Sequence, residues 1–251
     1  MTITYTIFFF VVGLVFGSFY NVVGLRVPKN ESIVYPSSHC SNCQRTLTAI
    51  DLVPVLSYVL LRGKCRTCKV RISPIYMLME LCTGLLFAFA YWRLGLSFEL
   101  VVALFFISLL VIITVSDIVY MLIPNKILLF FLPFLAIGRI VSPLAIWWDS
   151  LLGAAVGFSL LLLIAMVSKG GMGGGDIKLF FVIGLVLGTF QTLLTLFLAA
   201  GIGMVVGVIL LKRRKEGRKT PIPFGPSIAA AAIITYFFGE AMIAWYLDLF
   251  S

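Results

Sequence analysis

Residues 99–122 read ELVVALFFISLLVIITVSDIVYML, an almost unbroken apolar run with two carboxylates, Glu99 at its start and Asp117 near its end. About 20 apolar residues are enough to cross the hydrocarbon core of a bilayer as an α-helix. Seven further apolar runs occur at 4–25, 74–92, 127–147, 150–168, 178–190, 191–211 and 225–247. The runs 178–190 and 191–211 are poorly separated. Together the runs predict an all-α, polytopic membrane protein with about eight transmembrane helices.

The composition agrees with this class and excludes a soluble domain. Hydrophobic residues make up 61% of the chain, charged residues only 12%, and the mean hydropathy is +1.13. These values lie far outside the range of soluble proteins. The first run carries no basic residue before Arg26, so we interpret it as a permanent anchor instead of a cleavable signal.

Lysine and arginine cluster in 26–73 and in the run KRRKEGRK at 212–219, whereas Arg93 and Arg139 stand apart from the other basic residues. Basic residues near the ends of spans are retained on the cytoplasmic side. Eight spans with the N-terminus outside place both clusters in the cytoplasm and both exceptions outside. We therefore interpret the net charge of +9 as a topology signal beside anionic lipid, and we predict no nucleic-acid partner.

The polar stretch 26–73 contains two C-x-x-C pairs. HCSNC and KCRTC supply Cys40, Cys43, Cys65 and Cys68, with His39 adjoining the first pair as a possible substitute ligand. Two such turns brought together make a tetrahedral sulfur site that suits zinc. Two disulfides are the alternative, which the reducing cytoplasm disfavours. We predict a small, zinc-ribbon-like domain with four cysteine ligands between the first and second spans, in which the metal is structural.

Three carboxylates fall at membrane depth, where ionisable groups are costly and usually functional. They are Glu80, Asp117 and Asp176, the last in GMGGGDIKL at 171–179. The predicted topology puts Asp117 and Asp176 at the cytoplasmic end, where they can meet. Two carboxyls that share a site can share one proton and act as base and acid on a water molecule. This pattern predicts peptide hydrolysis by an aspartic dyad.

Other residues of the glycine-rich stretch have candidate supporting roles. Gly173 and Gly175 allow unusual backbone dihedrals and the close approach of an extended substrate. Lys178 either orients Asp176 or anchors the helix end at the headgroups. An ion-coupled transporter could also use Asp117 and Asp176. Against that alternative, no inverted repeat is evident, both acids lie near the membrane edge, and the cysteine domain would have no role.

Several motifs in order along the whole chain resemble those of the type IV prepilin peptidases, which belong to the GxGD aspartic protease group. The chain is most similar to the branch that processes competence pseudopilins. The motifs are FGSFYNVVGLRVP at 16–28, the two C-x-x-C pairs, SDIVYMLIPN at 116–125, GMGGGDIKL at 171–179 and IPFGPSIAAA at 222–231.

The resemblance implies an enzyme of the bacterial cell membrane that cuts type IV prepilins or pseudopilins. Cleavage would remove a short basic leader after a glycine, at the cytoplasmic face, just before the hydrophobic helix of the substrate. Asp117 and Asp176 would be the catalytic pair. It further implies methylation of the new N-terminal residue with S-adenosylmethionine as donor, although a peptidase without methyltransferase activity is an alternative.

The methyl-transfer residues cannot be derived from the sequence. The resemblance places methyl transfer around the cysteine-rich domain and the opening motif, which makes Asn21, Arg26 and Glu80 candidates. An alternative is that they only pack or pair, with Arg26 and Glu80 forming an ion pair. The predicted division is a first transmembrane helix at 1–25, the cysteine-rich domain at 26–73 and a seven-helix peptidase domain at 74–251. The sequence makes no prediction about the oligomeric state.

Overall fold

The computed structural model describes residues 2–168, 173–213 and 222–249, and within them it contains α-helices, short 3-10 helices and turns but no β-strand. Most of the basic run at 212–219, and residues 169–172 before the glycine-rich turn, lie outside the described residues. The α-helices are α1 (Thr2–Arg26), α2 (Leu56–Leu60), α3 (Pro74–Leu94), α4 (Phe98–Tyr120), α5 (Asn125–Val141), α6 (Asp149–Val167), α7 (Gly174–Leu187), α8 (Thr189–Arg213) and α9 (Gly225–Asp248).

The all-α, multi-span fold class is confirmed. Helices α1 and α3–α9 occupy the positions of the predicted apolar runs. Within the described residues, six of them are long and apolar enough to cross a membrane, namely α1, α3, α4, α6, α8 and α9. Helices α5 and α7 have 17 and 14 residues, which correspond to only about 26 and about 21 Å of helix. Their crossing of the bilayer stays a prediction.

The chain divides into two compact units, Met1–Val115 and Ser116–Ser251. The boundary falls inside α4, so the cysteine-rich stretch belongs to the first unit and both candidate catalytic aspartates belong to the second. The predicted division into 1–25, 26–73 and 74–251 stays a prediction.

In the first unit, α1 packs against α3 through small residues. A Cβ atom at Gly13 would lie 2.8 Å from the Cα of Gly84, and one at Gly17 would lie 2.8 Å from the Cα of Glu80. Glycine faces of this kind let membrane helices approach closely. The polar stretch that connects α1 and α3 is therefore tethered at both ends to a tightly packed helix pair.

In the second unit, α6 and α7 meet backbone to backbone. A Cβ atom at Gly153 would lie 2.5 Å from the carbonyl oxygen of Gly184, and one at Gly157 would lie 2.6 Å from that of Phe180. Gly188, with φ +81°, then separates α7 from α8. The poorly separated sixth and seventh runs are divided at this glycine.

Arg139, one of the two basic residues that stand apart in the sequence, is a buried residue of α5. Its Nε donates a hydrogen bond of 2.8 Å to the carbonyl of Val186, in the last turn of α7. Carbonyls in the last turn of a helix have no intrahelical donor. The Arg139 side chain therefore caps α7 and ties it to α5.

Candidate functional site

Asp117 lies in the last turn of α4 and is only 7% exposed. The helix ends there because Met121 adopts a left-handed conformation, with φ 52°, and its N–H bonds to the carbonyl of Asp117 at 2.9 Å. Ser116 Oγ donates to the carbonyl of Leu122 at 2.6 Å and fixes the segment that follows. The carboxyl of Asp117 is thus held on a rigid helix end.

Asp176 lies in the first turn of α7 and is half-buried. The N-cap residue of this helix, Gly173, donates its backbone N–H to the Asp176 carboxylate. The N–H of Asp176 in turn bonds to the carbonyl of Gly173 at 3.1 Å. This reciprocal pairing resembles a capping box and orients the carboxyl toward the start of the helix.

The structure brings the two aspartates together. They are close enough for the charge of Asp117 to act directly on Asp176. Gly175 makes this approach possible, because a Cβ atom there would lie 2.7 Å from the Cβ of Ile123. The turn that starts α7 therefore packs directly on the segment that follows α4.

A third segment reaches the same site. The backbone N–H of Gly225, at the start of α9, donates to Oδ2 of Asp117 at 2.7 Å. The surrounding motif IPFGPSIAAA is evident in the sequence, but the sequence indicates no role for Gly225 itself. The available signal was a Gly-Pro pair at the start of an apolar run, since proline favours the first helical turn.

Lys178 does not bond to Asp176 in the described part of the chain. Its Nζ donates to Oδ1 of Asn125 at 2.9 Å, and its side chain is exposed. The bond joins the second turn of α7 to the start of α5. Anchoring of the helix end at the headgroups stays a prediction.

The four predicted ligand cysteines form one cluster in the first unit. All of their sulfur atoms lie within 4.8 Å of one another, with Cys40 and Cys68 at 3.7 Å and Cys43 and Cys65 at 4.0 Å. A tetrahedral zinc site with Zn–S bonds of about 2.3 Å has S···S edges of about 3.8 Å. The five cysteines of the chain are all described and all free, so the cluster could hold a metal ion.

The electrostatics of two of the four thiols also suit a cation, whereas at Cys43 the backbone N–H of Arg45 is outweighed by burial and the neighbouring thiols, which raise the pKa of Cys43 to about 11. The backbone N–H of Val70, together with Asn42, lowers the pKa of Cys68 to about 6, and the backbone N–H groups of Cys43 and Asn42 lower the pKa of Cys40. Metal ligands must be thiolates. His39 is hydrogen-bonded to the carbonyl of Ser37 at 3.1 Å and is not a member of the cluster.

Asp51 links the two cysteine turns, although its position in the sequence suggests only an ordinary loop acid. Its carboxylate lies 2.7 Å from Nη2 of Arg45 and 2.9 Å from Nε of Arg66, and its side chain is 4% exposed. Burial opposes ionisation, but hydrogen bonds from Thr48 and the two guanidinium groups outweigh it and lower the pKa of Asp51. Arg45 follows the first cysteine pair and Arg66 lies within the second, so the ion pairs hold the two turns together.

A cavity of about 540 Å³ opens in the first unit between α1, α3 and the cysteine-rich stretch. Asn21, Arg26 and Glu80 all line it, so the structure brings the three methyl-transfer candidates to one cavity. Asn21 is 5% exposed, and its Nδ2 donates to the carbonyl of Tyr76 at 3.1 Å. Its Oδ1 is buried and has no hydrogen-bond partner among the described residues.

Glu80 is fixed by a strained turn. Its Oε2 accepts the backbone N–H of Val55 at 2.8 Å. Val55 has φ 61° and ψ −51°, and the N–H of Leu56 bonds to the carbonyl of Pro54 at 2.6 Å. This is the rare γ-turn, here centred on a β-branched residue, and such strain clusters at functional sites.

Arg26 has a different partner from Glu80. Its Nη1 donates to the carbonyl of Ser32 at 3.0 Å, and within the described ranges it forms no ion pair with Glu80. The structure therefore does not support the alternative in which these two residues only neutralise each other.

Comparison with known proteins identifies two family models along the chain. Residues 11–94 match the Bacterial Peptidase A24 N-terminal domain, and residues 104–208 match the Type IV leader peptidase family. No solved structure matches.

Three similar proteins all bear the name prepilin leader peptidase/N-methyltransferase. The one from Bacillus subtilis (strain 168) is 48% identical over 96% of this chain and 97% of its own length. Those from Stutzerimonas stutzeri and Pseudomonas putida are 33% and 36% identical, each over 95% of this chain and 92% of the relative.

Proposed function

Because this chain belongs to the type IV leader peptidase family, we propose that it cleaves the leader from type IV prepilins or pseudopilins with Asp117 and Asp176 as its catalytic pair. The observation that carries this proposal is the electrostatic interaction between the two carboxyls, supported by the contact of Gly175 with Ile123 and by the hydrogen bond from Gly225.

The two carboxyls can divide the work of hydrolysis between them. One, as the carboxylate, takes a proton from a water molecule while the water oxygen attacks the scissile carbonyl carbon. The other, as the acid, protonates the carbonyl oxygen. The tetrahedral intermediate then collapses, the C–N bond breaks, and the leaving amine receives a proton. Since Gly225 occupies Oδ2 of Asp117, we assign Oδ1 to the water.

The test of the peptidase is cleavage of a purified prepilin by the purified protein in detergent or liposomes. Conversion to the mature mass, lost in Asp117→Asn and in Asp176→Asn, supports the dyad. Uptake of an ion that depends on both aspartates, without cleavage, would instead favour the transporter alternative. The names of the relatives give that alternative no support.

We propose that the cavity of the first unit carries the second activity in the relatives' name, N-methylation of the new N-terminal residue. Its volume lies within the range of small-molecule sites. S-adenosylmethionine would supply an electrophilic methyl group when bound. Asn21 Oδ1 would accept an N–H of the donor and thereby gain its missing partner, while Glu80 and Arg26 would position charged groups.

The methylation proposal is tested on a substrate from which the leader has already been removed. Incorporation of a labelled methyl group from S-adenosylmethionine should occur with the unaltered protein and fall in Asn21→Leu. Cleavage without any methyl incorporation by the unaltered protein would identify a peptidase that lacks the second activity.

We propose zinc as the metal of the four-cysteine cluster, because the sulfur spacing matches a tetrahedral site with four thiolate ligands. Its role is structural, since it joins the two cysteine turns, which the ion pairs of Asp51 also connect. We further propose that the protein resides in the bacterial cell membrane with its N-terminus outside. The cysteine-rich stretch and the dyad then face the cytoplasm.

A further inference from the structure

The short helix α2, between the two cysteine pairs, exposes apolar side chains although it lies outside every predicted span. Its Leu56, Val59 and Leu60 are 62%, 59% and 81% exposed. The other face of the same helix, with Ser57 and Tyr58, lines the cavity of about 540 Å³ in the first unit. Helix α2 is therefore a wall of that cavity, and the outward face of this wall is apolar.

Two hydrogen bonds fix the position of α2 along α3. Val55, directly before α2, donates its N–H to Oε2 of Glu80 at 2.8 Å. Tyr58 donates its hydroxyl to the carbonyl of Ile72 at 3.2 Å, just before α3 begins at Pro74. Glu80 follows Pro74 by six residues, which advance a helix by about 9 Å. Helix α2 is therefore held beside the first two turns of α3.

The first two turns of α3 lie at the boundary of the bilayer. The candidate span Pro74–Leu94 has 21 residues, or about 32 Å of helix, which is close to the thickness of about 30 Å of the hydrocarbon core. The start of α3 therefore lies where headgroups meet acyl chains. Interfacial helices bury their apolar face about 5–10 Å into this boundary, and the position of α2 along α3 matches that depth.

Basic side chains adjoin the apolar face of α2. Arg62 follows the helix by two residues, and the backbones of Lys64 and Arg71 pair in an antiparallel bridge beside it. All three side chains are exposed, and none forms an ion pair within the described part of the chain. Residues 52–79 contain five basic residues and no acidic one. An apolar face with basic flanks is the pattern that binds anionic lipid surfaces.

We propose that α2 is an interfacial helix that docks on the membrane crossed by α3, with its apolar face among the acyl chains and Arg62, Lys64 and Arg71 on anionic headgroups. A protein partner fits this surface less well. The substrate leader that the family resemblance implies is itself basic, and a second copy of the chain would bring the same charges together, so both would be repelled. Docking would make the bilayer the outer support of the cavity wall. The inference goes beyond the proposed peptidase and methyltransferase activities and does not depend on either.

The first test is fluorescence quenching of the full-length protein in liposomes whose lipids carry bromine near the start of their acyl chains. A fluorescent unnatural amino acid replaces Leu60, the most exposed residue of α2. Leu85, 55% exposed in the middle of α3, is the control for lipid contact. Thr67, exposed in the second cysteine turn and bonded to Arg45, is the control for water contact. We expect positions 60 and 85 to lose fluorescence and position 67 to keep it. Quenching at 85 without quenching at 60, or equal quenching at 60 and 67, would overturn the docking of α2.

The second test asks which headgroup lies beside α2. Two liposome preparations contain the same mixture of phosphatidylcholine and phosphatidylglycerol, with bromine on only one of the two lipids. Relative to position 85, quenching at position 60 should be about twofold stronger or more with brominated phosphatidylglycerol, because basic residues enrich anionic lipid around them. Combining Arg62→Gln, Lys64→Gln and Arg71→Gln should abolish that preference, while quenching at position 85 shows that the variant is still inserted. Equal quenching by the two lipids in the unaltered protein, or a preference that survives in the triple variant, would overturn the headgroup contact.

Discussion

The backbone N–H of Gly225 donates a hydrogen bond of 2.7 Å to Oδ2 of Asp117. A Cβ atom on Gly225 would lie 2.8 Å from that same oxygen. The start of α9 and the end of α4 are therefore joined at the proposed reaction centre, with no space for a side chain between them.

Replacement of Gly225 by alanine should displace the Asp117 carboxyl. The new methyl group would overlap Oδ2, and a displacement of about an ångström reduces rates by about 100-fold. We expect leader cleavage by Gly225→Ala to fall by about that factor in a kcat measurement. Gly201→Ala is the control, since a Cβ atom there meets nothing within 4 Å. Full activity of Gly225→Ala would show that this contact does not hold the carboxyl.

Two neighbouring glycines of the glycine-rich turn should respond differently to alanine. A Cβ atom at Gly175 would overlap Ile123, whereas one at Gly174 meets nothing within 4 Å. Gly175→Ala should therefore separate the two carboxyls and lower kcat about 10- to 100-fold, while Gly174→Ala should stay near the unaltered rate. Equal losses in the two variants would indicate a requirement for backbone freedom instead of close packing.

The cysteine cluster predicts a specific metal content. Elemental analysis of the purified protein should find about one zinc per chain, and Cys40→Ser should lose most of it because a tetrahedral site needs all four thiolates. Cys82→Ser is the matched control, because Cys82 is a free thiol of α3 outside the cluster. Loss of zinc from Cys82→Ser, or retention in Cys40→Ser, would contradict the assignment.

Methyl transfer and cleavage should be separable by a change at Glu80. Glu80→Gln keeps the shape of the side chain but removes its charge, and hydrogen bonds to charged groups contribute about 1.5–3 kcal/mol. Methyl incorporation into a pre-cleaved substrate should fall about tenfold or more, while leader cleavage by the same preparation continues. A parallel loss of both activities would place Glu80 in a purely structural role.

The positions of the helices could be predicted well from the sequence, because an apolar run of bilayer length can form few structures other than a helix. The run 225–247, for example, differs from α9, Gly225–Asp248, by one residue. The pairing of Asp117 with Asp176 followed from the order of the spans, and the clustering of the four cysteines followed from the spacing of their pairs.

Long-range backbone contacts could not be predicted in this way. Gly225 reaches Asp117 through its N–H, which every residue except proline possesses, so residue type gives no signal. The burial of Arg139 has no signal in the sequence, because its partner is a main-chain carbonyl of α7. Asp51 looked like a solvated acid, although it connects two arginines that lie far apart in sequence.

The most direct measurement is the intact mass of a prepilin after incubation with the purified protein, with Asp117→Asn and with Asp176→Asn, supplied with S-adenosylmethionine. We predict that the unaltered protein removes the leader and adds one methyl group. Each variant should leave the leader in place, yet still methylate a substrate supplied without it. Removal of the leader by either folded variant at the unaltered rate would contradict the proposed catalytic pair.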